Sequence, residues 1–411
     1  MPDPATGAVS EVAIVNGADP AHGAARAGEA APGLVSVGDP DHIVGATPDM
    51  VIVGGGIVGL ATAWRARERG LSVTLLERDE VGQGTSRVAA GMLAPVAEVE
   101  FGEDGRRLLE LGLRSARMWP GFAAELERAT GIDVGLRQTG TLILARDGDE
   151  ARELERRLAY RESLGLRTER LRPSQARERE PGIAPTVRLA IEAPDDHSVD
   201  PRRVLEALRR ACERSGVVLR EHARVKSLAL DDAGERVTGV ILPGEHEPLP
   251  ARGVVIAAGP WSAEIGGLPA HARVPVRPVK GQIMRLRDPA GPGLLTRVVR
   301  YEGGYIVPRG DGRYVLGASV EERGFDLEPT AGAVYELLRD ASELVPGIDE
   351  LRIEELSVGL RPGSPDNVPR IGAGALDGLI WATGHYRNGI LLAPVTAEIV
   401  VQALVGAGVL V

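Results

Sequence analysis

A glycine-rich segment near the start of the chain constrains the fold more than any other feature. A short β-branched run, Val51–Val53, precedes Gly54, Gly56 and Gly59, which fit the spacing G-x-G-x-x-G. In that pattern the first glycine permits a tight turn, the second lets the backbone approach a pyrophosphate, and the third lets a helix pack closely on the strand. Glu77 closes a second apolar strand, where an acid can accept hydrogen bonds from ribose hydroxyls. The segment therefore predicts the start of an adenine-dinucleotide-binding domain.

NAD and FAD share this fingerprint, and the stretch that follows favours FAD. Residues 82–93 are first small and polar and then small and apolar, so they can run close along a bulky cofactor. We predict a long loop here, with Thr85 and Ser86 donating hydrogen bonds to phosphate oxygens. A plain surface loop is the alternative, but residues 89–93 are too apolar to favour it.

Composition limits the partners. A formal net charge of −10 argues against nucleic acid and anionic membranes. The single cysteine, Cys212, excludes an intrachain disulfide and lies in the apolar pattern of a buried helix. The histidines are scattered without metal-ligand spacing, so no metal site is predicted. The chain has no secretory signal pattern and no apolar run of transmembrane length, and we expect a cytoplasmic protein.

The order of predicted elements indicates a divided domain. Residues 1–47 are rich in Ala, Gly, Pro and Asp, so we predict a disordered extension, and an over-long start assignment stays open. Residues 105–130 predict one or two helices broken near Pro120. Two apolar strands end in small residues, at 254–259 and 379–384, which suits a sheet whose carboxyl edge faces a cofactor.

Between those two strands, residues 276–320 predict antiparallel strands of a second sheet. We therefore expect an α/β fold with a Rossmann-like FAD-binding domain and an inserted α+β substrate domain built on an antiparallel sheet. The predicted FAD-binding domain comprises residues 48–100, 185–262 and 355–411, and the predicted substrate domain residues 101–184 and 263–354.

The chain from about residue 49 to about residue 404 resembles the D-amino-acid-oxidase-like family of FAD-dependent oxidoreductases. Within that family it is most similar to the members that oxidise glycine. The resemblance is carried by the blocks Ala89–Pro95, Pro278–Gly281, Gly304–Arg309, Gly359–Gly363 and Gly384–Pro394.

The resemblance implies three residues around the substrate. It assigns the substrate carboxylate to Arg361, places Arg387 near the same site and makes Tyr305 a border of that site. A guanidinium suits the task because its planar fork matches a carboxylate with two charge-assisted hydrogen bonds. Surface salt bridging is the alternative for both arginines, and their apolar, glycine-rich neighbours disfavour it.

The resemblance also implies how FAD is held. Relatives with covalent flavin carry a cysteine near the C-terminal motif or a histidine before A-A-G, whereas residues 363–369 contain no cysteine and Val88 stands before A-A-G. We therefore expect noncovalent FAD. Packing and backbone roles are favoured over acid–base roles for His385 and Tyr386. Together with the glycine turn, the expected contacts are Gly54, Gly56, Ile57, Val58, Gly59, Glu77, Arg78, Thr85, Ser86, Ala90, Gly91, Met92, Val225, His385, Tyr386, Arg387, Asn388, Gly389, Ile390 and Leu391.

The implied reaction is FAD-dependent oxidative deamination of glycine. The products would be glyoxylate, formed through the imine, with ammonia and, if O2 is the acceptor, hydrogen peroxide; the imine would serve the thiazole branch of thiamine biosynthesis. Two alternatives stay open: a sarcosine or D-amino-acid oxidase or dehydrogenase of the same fold, and a flavin-binding assembly subunit without turnover. A carboxylate clamp disfavours the second, because a scaffold has no need of one. A homotetramer is implied by the resemblance alone.

Overall fold

Two β-sheets organise the part of the chain that the computed structural model describes, residues 13–15 and 47–406. The four inner strands of the first sheet are fully buried and mostly apolar, as expected for a parallel sheet covered on both faces. Numbered in chain order and given in spatial order, its strands are β19 (Arg370–Ala373), β20 (Leu379–Thr383), β13 (Gly253–Ile256), β2 (Met50–Val53), β3 (Val73–Leu76) and β9 (Val218–Arg220). All neighbours are parallel except β19 and β20.

Helices cover one face of this sheet and a small antiparallel sheet covers the other. The helices that share its largest apolar core are α1 (Ile57–Glu68), α3 (Gly102–Thr130), α6 (Pro201–Ser215) and α8 (Gly389–Gly406). The opposite face packs against β10 (Ser227–Leu230), β11 (Val237–Ile241) and β12 (Leu249–Pro250). This covering is typical of a dinucleotide-binding domain and fixes the carboxyl edge of the sheet as the open one.

The second sheet is mixed and larger. In spatial order its strands are β1 (Ala13–Val15), β18 (Arg352–Gly363), β14 (Arg277–Arg287), β17 (Arg313–Gly317), β16 (Gly304–Pro308), β15 (Val298–Tyr301), β5 (Thr141–Ala145), β7 (Leu189–Ala193) and β6 (Glu169–Leu171). Only β1 with β18 and β15 with β5 are parallel. The helices packed on it are α4 (Gly148–Ser163), α5 (Pro173–Arg179) and α7 (Ala331–Leu344).

Short elements connect the two sheets. They are α2 (Thr85–Val88), the two-stranded pair β4 (Met92–Leu93) and β8 (His197–Ser198), and 3-10 turns at Gly259–Glu264, Ala270–Ala272 and Pro346–Glu350. The helical turn α2 replaces part of the loop predicted at residues 82–93. None of the helices between residues 47 and 406 has both the length and the apolar character needed to cross a membrane.

The predicted fold class is confirmed, and the two sheets do not follow all of the predicted domain limits. β7 falls in the predicted FAD-binding segment 185–262 yet pairs in the second sheet, and β18 runs through the predicted boundary at residue 355. α3 packs with α8 and α6 rather than with the substrate domain. A strand's sheet is decided by its hydrogen-bond partner, which the strand's own sequence does not specify.

Two helical predictions have different outcomes. α3 is continuous through Pro120, so the predicted break is wrong. The preceding Trp119 is buried, and its indole N–H donates to the carbonyl of Leu391 at 2.9 Å. Cys212 is buried in α6, as predicted. Within the predicted disordered extension, Ala13–Val15 form a strand beside residues 355–357, and residues 1–12 and 16–46 lie outside the described chain.

Candidate functional site

A cavity of about 800 Å³ lies between the carboxyl edge of the first sheet and the face of the second. Its volume is in the range of roughly 300–1,000 Å³ that is usual for ligand and cofactor sites. The turn after β2, the end of β3 and the start of α8 form one wall, and β14, β16 and β18 contribute the other. The cavity therefore joins the predicted dinucleotide site to the predicted carboxylate site.

The turn after β2 explains each of its three glycines. A Cβ on Gly54, whose φ is +113°, would lie 2.4 Å from the carbonyl oxygen of Ala257, and a Cβ on Gly59 would lie 1.9 Å from that of Gly54. A Cβ on Gly56 would instead fill the cavity, where only Ser86 Oγ comes near, at 3.3 Å. The N-cap residue Gly56 has no side chain, and Gly56, Ile57 and Val58 line the cavity, so the first turn of α1 faces it as helix termini do in phosphate sites.

The acid and the hydroxyls predicted beside the cofactor all line the cavity. Glu77 Oε2 accepts a hydrogen bond from the N–H of Gly55 at 2.7 Å, which fixes the carboxylate beside the glycine turn. Ser86 Oγ accepts from the N–H of Ile57 at 3.2 Å and keeps its own proton for a ligand. Thr85 differs from the prediction, because its hydroxyl donates to the carbonyl of Leu360 at 2.9 Å.

The chain after α2 presents free backbone donors to the same cavity. Ala89 and Ala90 line it, and their N–H groups have no acceptor within residues 13–15 and 47–406. Backbone donors without partners at a cavity wall fit a ligand rich in acceptors, because such groups are otherwise costly to bury. The donors, the glycine turn and the acid together fit FAD.

Most of the predicted cofactor contacts lie on the cavity wall, with two exceptions. Gly59 packs against the Gly54 carbonyl instead, and Leu391 is buried, its carbonyl accepting hydrogen bonds from Ser115 Oγ and Trp119 Nε1. Both contribute to the site through packing in this structure. The individual FAD contacts stay predictions.

Arg361, near the end of β18, presents an open donor face to the cavity. Its Nη1 donates to the carbonyls of Lys280 at 3.2 Å and Ser319 at 3.0 Å, while Nε and Nη2 make no hydrogen bond within the described chain. The guanidinium lies against Gly281, where an added Cβ would be 2.3 Å from Nη1. That contact explains why position 281, the last residue of the block Pro278–Gly281, is a glycine. The geometry leaves one side of the guanidinium for an anion.

Tyr305 on β16 borders the same part of the cavity. A Cβ added to Gly317 would lie only 2.7 Å from the Tyr305 hydroxyl. Burial raises the pKa of the Tyr305 phenol, so the hydroxyl remains protonated and can donate a hydrogen bond. The side chain is therefore placed as the predicted border of the substrate site.

Arg387 also lines the cavity, but its charge has partners from the chain. Its Nη2 is 2.6 Å from Glu100 Oε1, and its Nε is 3.6 Å from Glu98 Oε2. Glu98 accepts in addition from Arg300 Nε at 2.5 Å. Burial alone would raise the pKa of the Glu98 carboxyl, but Arg300 and Arg387 hold it below its usual value. Arg361 thus offers the more open carboxylate site of the two predicted arginines.

Sequence reasoning missed Glu98 and Arg300, which both line the cavity. Glu98 stands in the apolar stretch Pro95–Val99, and a single acid in such company was the available signal. Arg300 carried no comparable signal, because its partner Glu98 is distant in sequence.

His385 follows β20 and supports the start of α8. Its Nε2 lies 2.9 Å from Thr396 Oγ1, and burial lowers its pKa to about 4. The imidazole is therefore neutral throughout the pH range in which a general base would act. This agrees with a packing role.

We expect His385→Gln to leave the shape of the pH profile of kcat/KM unchanged, because the native imidazole does not titrate near neutral pH. Glutamine can retain a hydrogen bond to Thr396. The measurement is kcat/KM for the substrate between about pH 6 and 9, a range that includes roughly 6.5, the pKa of a free imidazole. Loss of one limb of the profile in the variant would assign His385 an acid–base role.

Comparisons with known proteins agree with this site. The family model described as DAO, FAD dependent oxidoreductase, matches residues 49–403. Glycine oxidase from Geobacillus kaustophilus is 35% identical over 354 residues, covering 86% of this chain and 91% of that protein. The crystal structure of glycine oxidase from Geobacillus kaustophilus superposes with a TM-score of 0.80 at 34% identity, covering 87% of this chain and 95% of that one.

A second kind of relative is longer. The bifunctional protein ThiO/ThiG from Synechocystis sp. is 38% identical over 360 residues, which cover 86% of this chain. The chain spans only 51% of that protein's length. The similarity therefore concerns one part of the bifunctional protein.

Proposed function

Because the chain belongs to the DAO family of FAD-dependent oxidoreductases, we propose that it oxidises the Cα–N bond of glycine. The observation that carries the proposal is the guanidinium of Arg361, with one side open to the cavity that holds the glycine turn. A flavin-binding subunit without turnover has no use for such a group. Glycine oxidases are relatives over most of the chain, which favours glycine as the substrate.

The chain's own residues would bind and orient the amino acid. The substrate carboxylate would pair with Nε and Nη2 of Arg361 and accept a hydrogen bond from the Tyr305 hydroxyl. Holding the carboxylate fixes Cα at one place in the cavity, and this positioning is the main contribution asked of the protein. FAD, when bound, supplies the acceptor for the two electrons and the hydrogen of Cα.

The charges around the cavity favour a neutral amine. Arg300, Arg361 and Arg387 place three guanidinium groups on its wall; Glu98 and Glu100 pair with Arg300 and Arg387, and Arg361 has no acidic partner within hydrogen-bonding distance in the described chain. Nearby cations disfavour a protonated amine, so the substrate would bind with a free lone pair or lose its extra proton to solvent. A side-chain general base is then not needed.

The proposed overall reaction converts glycine, water and O2 to glyoxylate, ammonia and hydrogen peroxide. The C–N bond is oxidised to an imine, and water then hydrolyses the imine. We further propose that the imine serves the thiazole branch of thiamine biosynthesis, the role suggested by the ThiO/ThiG relatives. A cytoplasmic homotetramer is part of the same proposal.

The experiment that tests the proposal is peroxide release by the purified FAD-bound protein with glycine, sarcosine, small D-amino acids and carboxylate-free amines. We expect the highest kcat/KM with glycine. Sarcosine or a D-amino acid as the best substrate would support the runner-up oxidase of the same fold. Substrate-dependent reduction of a dye without peroxide would favour a dehydrogenase, and no turnover with any amine would contradict an enzyme role.

Noncovalent FAD gives a separate prediction. Val88 lies on the cavity wall where a linking residue would otherwise stand, and no cysteine occurs near β18 or β19. Acid precipitation should therefore release the yellow FAD into the supernatant. The absorbance of supernatant and pellet is the measurement, and flavin that remains with the pellet would contradict the prediction.

A further inference from the structure

An arginine from the second sheet bonds to the backbone of the chain beside the cofactor cavity. Arg309 directly follows β16 and ends the block Gly304–Arg309. Its Nη1 donates to the carbonyl of Val199 and its Nη2 to the carbonyl of Ala90, both at 2.7 Å. Val199 in turn donates its N–H to the carbonyl of Gly91 at 2.9 Å. One guanidinium therefore fixes the cavity wall at Ala90 and the chain at Val199, directly after β8.

A second arginine of the second sheet, Arg285, holds residues 87 and 88, which precede Ala90. Arg285, on β14, donates from Nη2 to the carbonyls of Arg87 at 2.9 Å and Val88 at 3.4 Å. Only 11% of its side chain is exposed. Arg202 adds a longer bond to the Arg87 carbonyl, at 3.4 Å. The carbonyls of residues 87, 88 and 90 are therefore all held by guanidinium groups.

These hydrogen bonds are charge-assisted. Burial lowers the pKa of Arg285 to about 9 and that of Arg309 to about 10, and both remain cationic at neutral pH. The nearest acid to Arg285 is Glu355, 3.7 Å from Nε, and that acid is bonded more closely to Arg202, at 2.6 Å. The two guanidinium groups thus direct their shorter bonds to backbone carbonyls rather than to carboxylates.

We propose that Arg285 and Arg309 are positioning residues for FAD, which fix residues 87–91 from the second sheet and so set the free N–H groups of Ala89 and Ala90 on the cavity wall. The carbonyls of residues 87, 88, 90 and 91 accept hydrogen bonds, while the N–H groups of Ala89 and Ala90 have no acceptor in the described chain. The inference rests on FAD binding, and it holds whichever amine is the substrate.

The test measures FAD affinity directly. FAD is removed from the full-length protein, and the apo-protein is titrated with FAD while flavin fluorescence is recorded. Arg309→Met should raise the Kd for FAD by about tenfold to a hundredfold, because two hydrogen bonds from a charged donor are lost. Arg309→Lys should recover part of the affinity, since an ammonium cannot bridge both carbonyls with a planar fork.

Arg313→Met is the matched control. Arg313 begins β17 on the same hairpin, is 34% exposed, and pairs with Asp311 at 2.7 Å in its own turn. We expect the Kd of Arg313→Met for FAD to stay within about twofold of the native value, because the loss of an exposed ion pair has little energetic effect. A Kd for Arg309→Met equal to that of this control would overturn the proposal.

Thermal unfolding separates cofactor positioning from general stability. The proposal requires the difference in Tm between the FAD-bound and apo forms to shrink in Arg309→Met and to persist in Arg313→Met. An equal fall in both Tm values of Arg309→Met, with an unchanged Kd, would show a purely structural role. If Arg309→Met does not fold, the same FAD titration is made on Arg309→Lys and Arg285→Lys. A native Kd for FAD in both lysine variants would overturn the proposal.

Discussion

Replacing Arg361 with alanine should lower kcat/KM for glycine by roughly 30- to 4,000-fold. The guanidinium has one side open to the cavity and no acidic partner within hydrogen-bonding distance in the described chain. Removing one member of a charge-assisted, partly desolvated pair costs roughly 2–5 kcal/mol. Arg361→Lys should recover only part of the activity, because an ammonium cannot form two parallel bonds to a carboxylate.

The control is a comparison of substrates on the same proteins. Glycine and a carboxylate-free amine are both measured on the native enzyme and on Arg361→Ala, with flavin content recorded. Arg370→Ala is the matched variant, because Arg370 pairs with Asp366 on its own turn, at 2.7 Å. The clamp predicts a selective loss on glycine with flavin content retained. Equal losses on both amines would show that Arg361 supports the fold or the cofactor instead.

Replacing Gly59 with alanine should weaken the binding of FAD. The added Cβ would lie 1.9 Å from the carbonyl oxygen of Gly54, a backbone atom that cannot rotate away. This clash can be relieved only if α1 moves away from the turn after β2. Overpacking of this kind costs roughly 1–3 kcal/mol, which corresponds to a loss of about 5- to 150-fold in FAD affinity.

Gly121→Ala is the matched helical control for Gly59→Ala. Gly121 lies within α3, is exposed, and has nothing within 4 Å of an added Cβ. Alanine there should leave FAD content unchanged and raise Tm slightly, because alanine is the better helix former. Titration of each apo-protein with FAD is the measurement. Native affinity in Gly59→Ala would mean that close packing of α1 on β2 is not required for cofactor binding.

Local sequence predicted the dinucleotide half of the site because its chemistry is contiguous. Gly54, Gly56, Gly59 and Glu77 act through backbone geometry within one strand–helix–strand unit, so their spacing alone specifies their places. Arg361 could be identified only because the block around it, Gly359–Gly363, resembles a family motif. Its open face depends on Gly281, which β14 brings beside it.

The remaining parts of the site depend on partners that are distant in sequence. Glu98 and Arg300 meet across 202 positions, and Arg309 reaches Ala90 across 219. Nothing local to Arg309 distinguishes a surface arginine from one that holds a cavity wall. The same reason explains why β7 and β18 do not follow the predicted domain limits, since sheet membership is decided by remote hydrogen-bond partners.

The central claim is that this chain oxidises glycine through bound FAD, and anaerobic mixing of the FAD-bound protein with glycine tests it most directly. Without an electron acceptor, glycine should bleach the absorbance band of the oxidised flavin, and glyoxylate should appear in an amount equal to the flavin bleached. The result does not depend on which acceptor the enzyme uses in the cell. A flavin that stays oxidised with glycine, while sarcosine or D-alanine bleaches it or no amine does, would contradict the claim.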